Sequence, residues 1–130
     1  MKLLPKVLIP IALLALAACG TLAPGGAYKD KVLYNADLTI TTSYDVLHTF
    51  VIWEQNNRPV LHAFPEVTKA ADYVRANARQ WLSSAIALRE TYAANPTSEN
   101  LAGLNKALNV LRTAMTEATK YLIQTQTSNP

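Results

Sequence analysis

Two long stretches of the chain carry apolar residues at alternating gaps of three and four, and this pattern constrains the fold most strongly. The first stretch contains Val67, Ala71, Val74, Ala78, Trp81, Ala85, Leu88 and Tyr92. The second contains Leu101, Leu104, Leu108, Leu111, Met115, Ala118 and Leu122. This spacing places every member of a set on one face of an α-helix. The sequence therefore predicts two amphipathic helices, over residues 66–94 and 98–123.

Prolines mark the ends of these helices. Pro65 is suited to the first helical turn, where its missing N–H costs nothing, and Glu66 complements the helix dipole. Asn95-Pro96 ends the helix, and Thr97 or Ser98 can cap the next one. Because the connection is so short, the two helices are expected to form an antiparallel hairpin.

Residues 37–56 are ambiguous between strand and helix. Alternation over Leu38–Tyr44 favours a strand. Two adjoining helical stripes favour a helix: Ile40, Tyr44, Leu47 and Val51, with Val46, Phe50 and Trp53 beside them. Asp37 can cap such a helix, and Pro59 lies just beyond its end. We predict a helix over 37–56.

Further apolar residues flank the stripes of the predicted hairpin, which would leave them in water without another element. They are Leu82, Ile86, Ala107, Val110 and Ala114. The first helix is expected to cover them. The predicted fold is therefore all-α, a small antiparallel three-helix bundle over residues 37–124, followed by a frayed tail at 125–130.

The N-terminal stretch has the features of a secretory signal. Lys2 and Lys6 precede an uncharged apolar run from Val7 to Ala18, interrupted only by Pro10. At about 1.5 Å per residue this run is too short for a hydrocarbon core of about 30 Å. A positive start, a short apolar segment and small residues before a cleavage site are typical of a signal peptide.

The stretch ends in Leu16-Ala17-Ala18-Cys19, which resembles the lipobox of bacterial lipoproteins with a type II signal peptide. The resemblance implies removal of residues 1–18, a diacylglycerol on the Cys19 thiol and acylation of the new amino group. A plain signal peptide with a chance cysteine and a signal anchor are the alternatives. Cys19 is the sole cysteine, so no intramolecular disulfide can form.

The residues that follow Cys19 suggest a location. In enterobacterial lipoproteins an Asp after the cysteine favours inner-membrane retention, and this chain has Gly20. The resemblance therefore implies anchoring in the outer membrane, facing the periplasm, with the inner membrane and the cell surface left open. Residues 19–36, which include Pro24-Gly25-Gly26, are predicted to be a flexible tether. Within it, Val32–Tyr34 could dock on the domain or form a short strand.

The charge of the chain gives no indication of nucleic-acid binding. Its formal charge of +3 includes Lys2 and Lys6. Without these two residues the chain has 10 Lys and Arg and 9 Asp and Glu, a formal charge of +1. The sequence contains no block of like charges and no alternation of aromatic and basic residues. The expected partners are the membrane, through the lipid on Cys19, and another protein.

The sequence carries no pattern of catalytic chemistry. It has no glycine-rich phosphate loop and no Gly-x-Ser-x-Gly motif, and its one thiol is assigned to the lipid. His48 and His62 lack partners at metal-ligand spacing. Haem could be ligated by either histidine with Met115, although a methionine in a heptad column is more often a core residue. We expect neither an enzyme nor a bound cofactor.

Three functional hypotheses follow. The first is a membrane-anchored helical adaptor, for which Trp53 is a candidate interface residue because exposed tryptophans mark binding hot spots. The second is a phage or prophage lipoprotein that acts in lysis or in superinfection exclusion. The third is a carrier of haem or a small ligand inside the bundle.

Overall fold

The computed structural model describes residues 30–127, with side chains to residue 124, and this part of the chain is all-helical. It contains three packed helices, α1 (Lys31–Asn57), α2 (Pro65–Ala94) and α3 (Ser98–Thr127). A 3₁₀ helix, Leu61–Ala63, lies between α1 and α2. The predicted all-α architecture of three helices is confirmed.

Helix α1 begins at Lys31 rather than at residue 37, so the predicted tether is too long. The Asp30 carboxylate accepts a hydrogen bond of 2.8 Å from the backbone N–H of Val32, which makes Asp30 the N-cap. Residues 31–36, including Val32–Tyr34, are therefore helical and form no strand. Asp37, predicted as the cap, lies inside the helix and forms an ion pair with Arg89 of α2.

Residues 37–45 are helical, which decides the ambiguity between strand and helix. By its backbone contacts the chain divides into two units, with the boundary after Tyr34. The described part of the first unit is the cap and first turn of α1. The second unit begins at Asn35 and contains the bundle.

The ends of the hairpin follow local sequence signals. Pro65 lies in the first turn of α2, and Asn95 ends this helix by donating its N–H to the Thr91 carbonyl at 3.0 Å. The Thr97 hydroxyl accepts the N–H of Asn100 at 3.1 Å, which makes Thr97 the cap of α3. Helix α3 continues to Thr127, so residues 125–127 are helical rather than frayed.

The predicted stripes of α2 and α3 form most of the core. Buried members include Val67, Ala71, Val74, Ala85, Leu104, Leu108 and Leu111. The backbones of α2 and α3 approach each other most closely, and α1 packs against them at wider spacing. The small residues of α2 permit this close approach.

The predicted apolar face of α1 is confirmed at most of its positions: Leu47 and Phe50 are buried, and Val46, Val51 and Trp53 pack against the core. The buried residues are Ala36, Ser43, Leu47, Phe50 and Glu54. Tyr44, predicted to lie on the apolar face, is 47 % exposed. Ser43 and Glu54 therefore lie on this buried face, and Tyr44 lies at its exposed edge.

Helix α1 also fails to cover all the flanking apolar residues. Ile86 is 48 % and Val110 is 40 % exposed. Helix α1 lies on the side of α2 that carries Arg75 and Arg89, whereas Val110 lies in a groove lined mainly by α2 and α3.

Among residues 30–127, no helix is both long and apolar enough to cross a bilayer.

Candidate functional site

An apolar groove is lined mainly by residues of α2 and α3, with Phe50 contributed by α1. We name it the α2–α3 groove; its volume is about 790 Å³, and its apolar walls and floor include Phe50, Val74, Trp81, Val110, Ala114 and Ala118. Phe50 is fully buried and reaches the floor from α1. Concave sites of this size and character are typical of binding sites.

Two aromatic residues form the α2 wall of this groove. The Tyr73 and Trp81 rings lie 5.4 Å apart between centroids and are tilted by 60°. Tyr73 is 63 % exposed, while Trp81 is half-buried. Trp81 belongs to the predicted core stripe, and the structure shows that it also presents a surface to the groove. Aromatic side chains supply large contact areas at binding sites.

The α3 wall carries polar residues around an apolar centre. Lys106 and Glu117 are exposed on this wall, with Asn105, Asn109 and Thr113 near them. Neither Lys106 nor Glu117 has an ion-pair partner within the part of the chain that the structure describes. Both charges are therefore available to a molecule that binds in the α2–α3 groove.

Trp53, the candidate interface residue from the sequence, lies outside this groove. It is half-buried and packs on the core, with its ring stacked against Phe50 at 6.3 Å between centroids. Phe50 in turn stacks on Tyr121 at 6.0 Å. Packing in the core therefore accounts for the buried part of the Trp53 ring, and its role at an interface stays a prediction.

Cys19, the predicted lipidation site, lies outside the described residues. The predicted signal peptide of residues 1–18 lies outside them too, and so does most of the predicted tether. These assignments stand on the lipobox resemblance.

A smaller groove of about 480 Å³ lies between α1 and α2. Its apolar part includes Leu47, Leu82 and Ile86, and His48 lies at its border with its ring stacked on Tyr44 at 5.7 Å. This groove follows from the wide spacing between α1 and the hairpin. Arg75 and Arg79 also line it.

A four-residue ion network joins the end of α1 to α2 beside this smaller groove. Glu54 is fully buried and accepts hydrogen bonds from Arg58, at 2.9 and 3.2 Å, and from Arg75. Asp72 binds both arginines, at 3.3 and 2.7 Å. Arg75 also donates to the Val51 carbonyl at 3.2 Å. Arg58, in the turn after α1, and Arg75, in α2, therefore compensate the buried charge of Glu54.

The arginines control the protonation of Glu54. Burial raises the pKa of this carboxyl, but hydrogen bonds and charge attraction from Arg58 and Arg75 outweigh it and hold the pKa below the ordinary 4.5. The same contacts raise the pKa of Arg58 above its usual value, first through its hydrogen bond to Glu54. Glu54 is therefore ionised at neutral pH, and its carboxylate binds the two arginines that join α1 to α2.

Sequence reasoning missed Glu54, Arg75 and Tyr73. For Glu54 a signal existed, since it lies seven residues after Leu47 on the same helical face and four before Arg58. For Arg75 the signal was its spacing of three residues from Asp72, with which it pairs, but its contact with Glu54 depends on which side of α2 faces α1. For Tyr73 no signal existed, for the same reason.

His48, His62 and Met115 are the residues considered as haem ligands. His48 and His62 are exposed, and Met115 is half-buried in α3. Among residues 30–127 no group of three or more His, Cys, Asp or Glu could hold a metal ion.

Comparison with protein-family models, curated proteins and solved structures returned no match for this chain.

Proposed function

We propose that the chain is a membrane-anchored lipoprotein that acts as a helical interaction module on the periplasmic face of the outer membrane. The lipid on Cys19 is the anchor, and the α2–α3 groove is the docking site for a helix. The observation that carries the proposal is this apolar groove, with Tyr73 and Trp81 on one wall and the exposed Val110 on the other.

The shape of the bundle favours a helical partner. Helix α1 packs on the side of α2 that carries Arg75 and Arg89, and an apolar channel, the α2–α3 groove, is lined by residues within 70–81 of α2 and 102–121 of α3. A further amphipathic helix laid in this channel buries its apolar face and completes a four-helix arrangement. Lys106 and Glu117 of α3, which have no ion-pair partner among the described residues, suit a helix that carries opposite charges at matching positions.

The anchor gives this docking site its location. One acyl chain binds a membrane only reversibly, because each buried CH₂ contributes about 0.8 kcal/mol. The acylation implied by the lipobox resemblance supplies several chains, which makes release negligible. Restriction to a membrane surface then raises the effective concentration of the module near its partner.

A site-specific photocrosslinker at Asn105 tests the docking site in cells that express the full chain. We expect a discrete adduct that Val110→Asp removes, because a carboxylate at the centre of the groove excludes an apolar helix face. Ile52→Asp is the matched control, since Ile52 is similarly exposed, at 42 %, but lies on α1 outside the groove. An adduct that survives Val110→Asp would contradict the proposal.

The anchor has its own test. Cys19→Ala is expected to abolish labelling by a fatty-acid probe and to release the protein from the membrane fraction, while Gly20→Ala keeps the label. Labelling of the Cys19→Ala protein refutes the lipoprotein assignment.

One observation favours a second candidate, a carrier of a small apolar ligand. The volume of the groove, about 790 Å³, lies within the usual range of about 300–1,000 Å³ for small-molecule sites. Native mass spectrometry and visible absorption of the purified full chain test it. A co-purifying mass or a haem spectrum that Val110→Asp removes supports the carrier, and an unloaded, colourless protein argues against it.

A further inference from the structure

We infer that the helix bound in the α2–α3 groove is α3 of a second copy of this chain, antiparallel to α3 of the first. This inference rests on the proposed function, because it names the partner of the same groove. It is carried by the order of charges and side-chain sizes along the α3 wall.

The charges on α3 are complementary to themselves in the antiparallel direction. Lys106 and Glu117 lie eleven residues apart, which is about three turns and about 16 Å, so they share one face of the helix. Both line the groove, and neither has an ion-pair partner among residues 30–127. Two α3 helices that cross midway, between positions 111 and 112, place Lys106 of each copy opposite Glu117 of the other. A parallel pair would place like charges opposite each other.

The sizes of the side chains fit the same register. Ala102, at one end of the wall, lies opposite Tyr121 at the other end, so a small residue faces a large one. At the centre, Val110 lies opposite Thr113. The contact covers Val110, which is 40 % exposed in the single chain. The same antiparallel register therefore pairs opposite charges and also pairs a small side chain with a large one.

The arrangement has the symmetry of a closed dimer. Both copies use the same surface, and each contact occurs twice about a two-fold axis through the centre of α3. The groove walls from α2, with Tyr73 and Trp81, flank the α3 helix of the other copy on both sides of the axis. The two hairpins then cover each other's apolar channels.

Two full-length copies with different epitope tags, expressed in the same cells and co-purified from detergent extracts, test the inference. The native pair is expected to co-purify. Lys106→Glu in both copies, or Glu117→Lys in both copies, places like charges opposite each other and is expected to reduce co-purification by about tenfold. A Lys106→Glu copy mixed with a Glu117→Lys copy restores both opposite-charge contacts and is expected to recover the native level.

Lys120→Glu in both copies is the matched control, because Lys120 is exposed on α3 outside the groove. Absence of self-association, or failure of the mixed pair to recover it, overturns the inference. If the Asn105 adduct then contains another protein and is still removed by Val110→Asp, the groove remains the docking site and only its partner is wrong. If self-association occurs but is insensitive to Val110→Asp, the α2–α3 groove is neither the dimer interface nor the docking site, and both proposals are wrong.

Discussion

The guanidinium of Arg89 binds both carboxylate oxygens of Asp37, and each of the two nitrogen–oxygen distances is 2.9 Å. This paired geometry joins the first half of α1 to the last turns of α2, across 52 residues of sequence. The hydrogen bond to Asp37 is also the main reason that the pKa of Arg89 is raised above its usual value. Bidentate pairs of this kind fix orientation as well as adding stability.

Loss of this pair is expected to destabilise the bundle modestly. The side chains of Arg89 and Asp37 are 22 % and 33 % exposed, so solvent screens part of the attraction. We expect a coupling energy of about 1 kcal/mol from a double-mutant cycle of Asp37→Asn and Arg89→Met, measured by urea unfolding. Asp45→Asn is the control on the same helix, since Asp45 has no ion-pair partner in the described residues. A coupling energy near zero contradicts this role for the pair.

Glu54 makes stability depend on pH in the acid range. The unfolded chain binds this proton near pH 4.5, and the folded protein binds it only at lower pH. The stabilisation is therefore complete above pH 4.5 and is lost as the pH falls through the lowered pKa of the folded state. Urea unfolding at a series of pH values should show this loss, and Glu54→Gln should remove it.

The same substitution is expected to lower stability at pH 7. Glu54→Gln removes the negative charge between Arg58 and Arg75 while the site stays buried, at a cost of about 1–3 kcal/mol. Glu99→Gln, at an exposed position in the first turn of α3, serves as the control for a simple change of net charge. Equal pH profiles for the two variants would rule out the assignment to Glu54.

Gly103→Ala is expected to stabilise the protein. Gly103 lies inside α3, where glycine costs about 0.5–1 kcal/mol relative to alanine. A Cβ atom at this position would lie 3.6 Å from the Cδ2 atom of Leu88, which is an ordinary contact distance. The expected gain is about 0.5–1 kcal/mol by thermal or urea unfolding. Ala102→Gly, at the exposed neighbouring position, should lose a similar amount, and a net loss from Gly103→Ala would show that α2 and α3 pack more tightly there.

Truncation of the Ser43 side chain is expected to change stability little, although the residue is fully buried. Its hydroxyl is fully buried and donates to the Thr39 carbonyl in the same helix, at 2.6 Å. Ser43→Ala removes only this local hydrogen bond, so we expect stability to change by less than about 0.5 kcal/mol. Ser43→Leu overfills the site and should cost about 1–3 kcal/mol. Thr42→Leu, at the exposed neighbour, is the control; equal effects at both positions would contradict tight packing around Ser43.

Much of the hairpin could be predicted because its signals are local. The stripes of α2 and α3, the turn at Asn95-Pro96 and the cap at Thr97 each depend on residues close together in sequence. The predicted start of α1 at residue 37 is wrong because two aspartates, Asp30 and Asp37, can both act as caps. Only the structure shows that Asp30 caps the helix and that Asp37 binds Arg89.

The α2–α3 groove could not be predicted for a different physical reason. The apolar residues beside the stripes suit any arrangement in which α1 covers one side of the hairpin. The sequence pattern does not indicate which side of the hairpin α1 covers. That side decides whether Arg75 or Tyr73 faces α1. The sequence predicts that α1 covers Val110, but in the structure Val110 lies exposed in the α2–α3 groove.

The wide spacing of α1 has a mechanical consequence. Its backbone lies farther from the hairpin than α2 and α3 lie from each other, so α1 is held mainly by side chains such as Leu47, Phe50 and the two carboxylates of its ion pairs. Regions with fewer close contacts open at a lower free-energy cost. In a chain anchored through Cys19, as proposed, a pull on the membrane tether reaches α1 first, so α1 can yield to force while the hairpin of α2 and α3 stays folded.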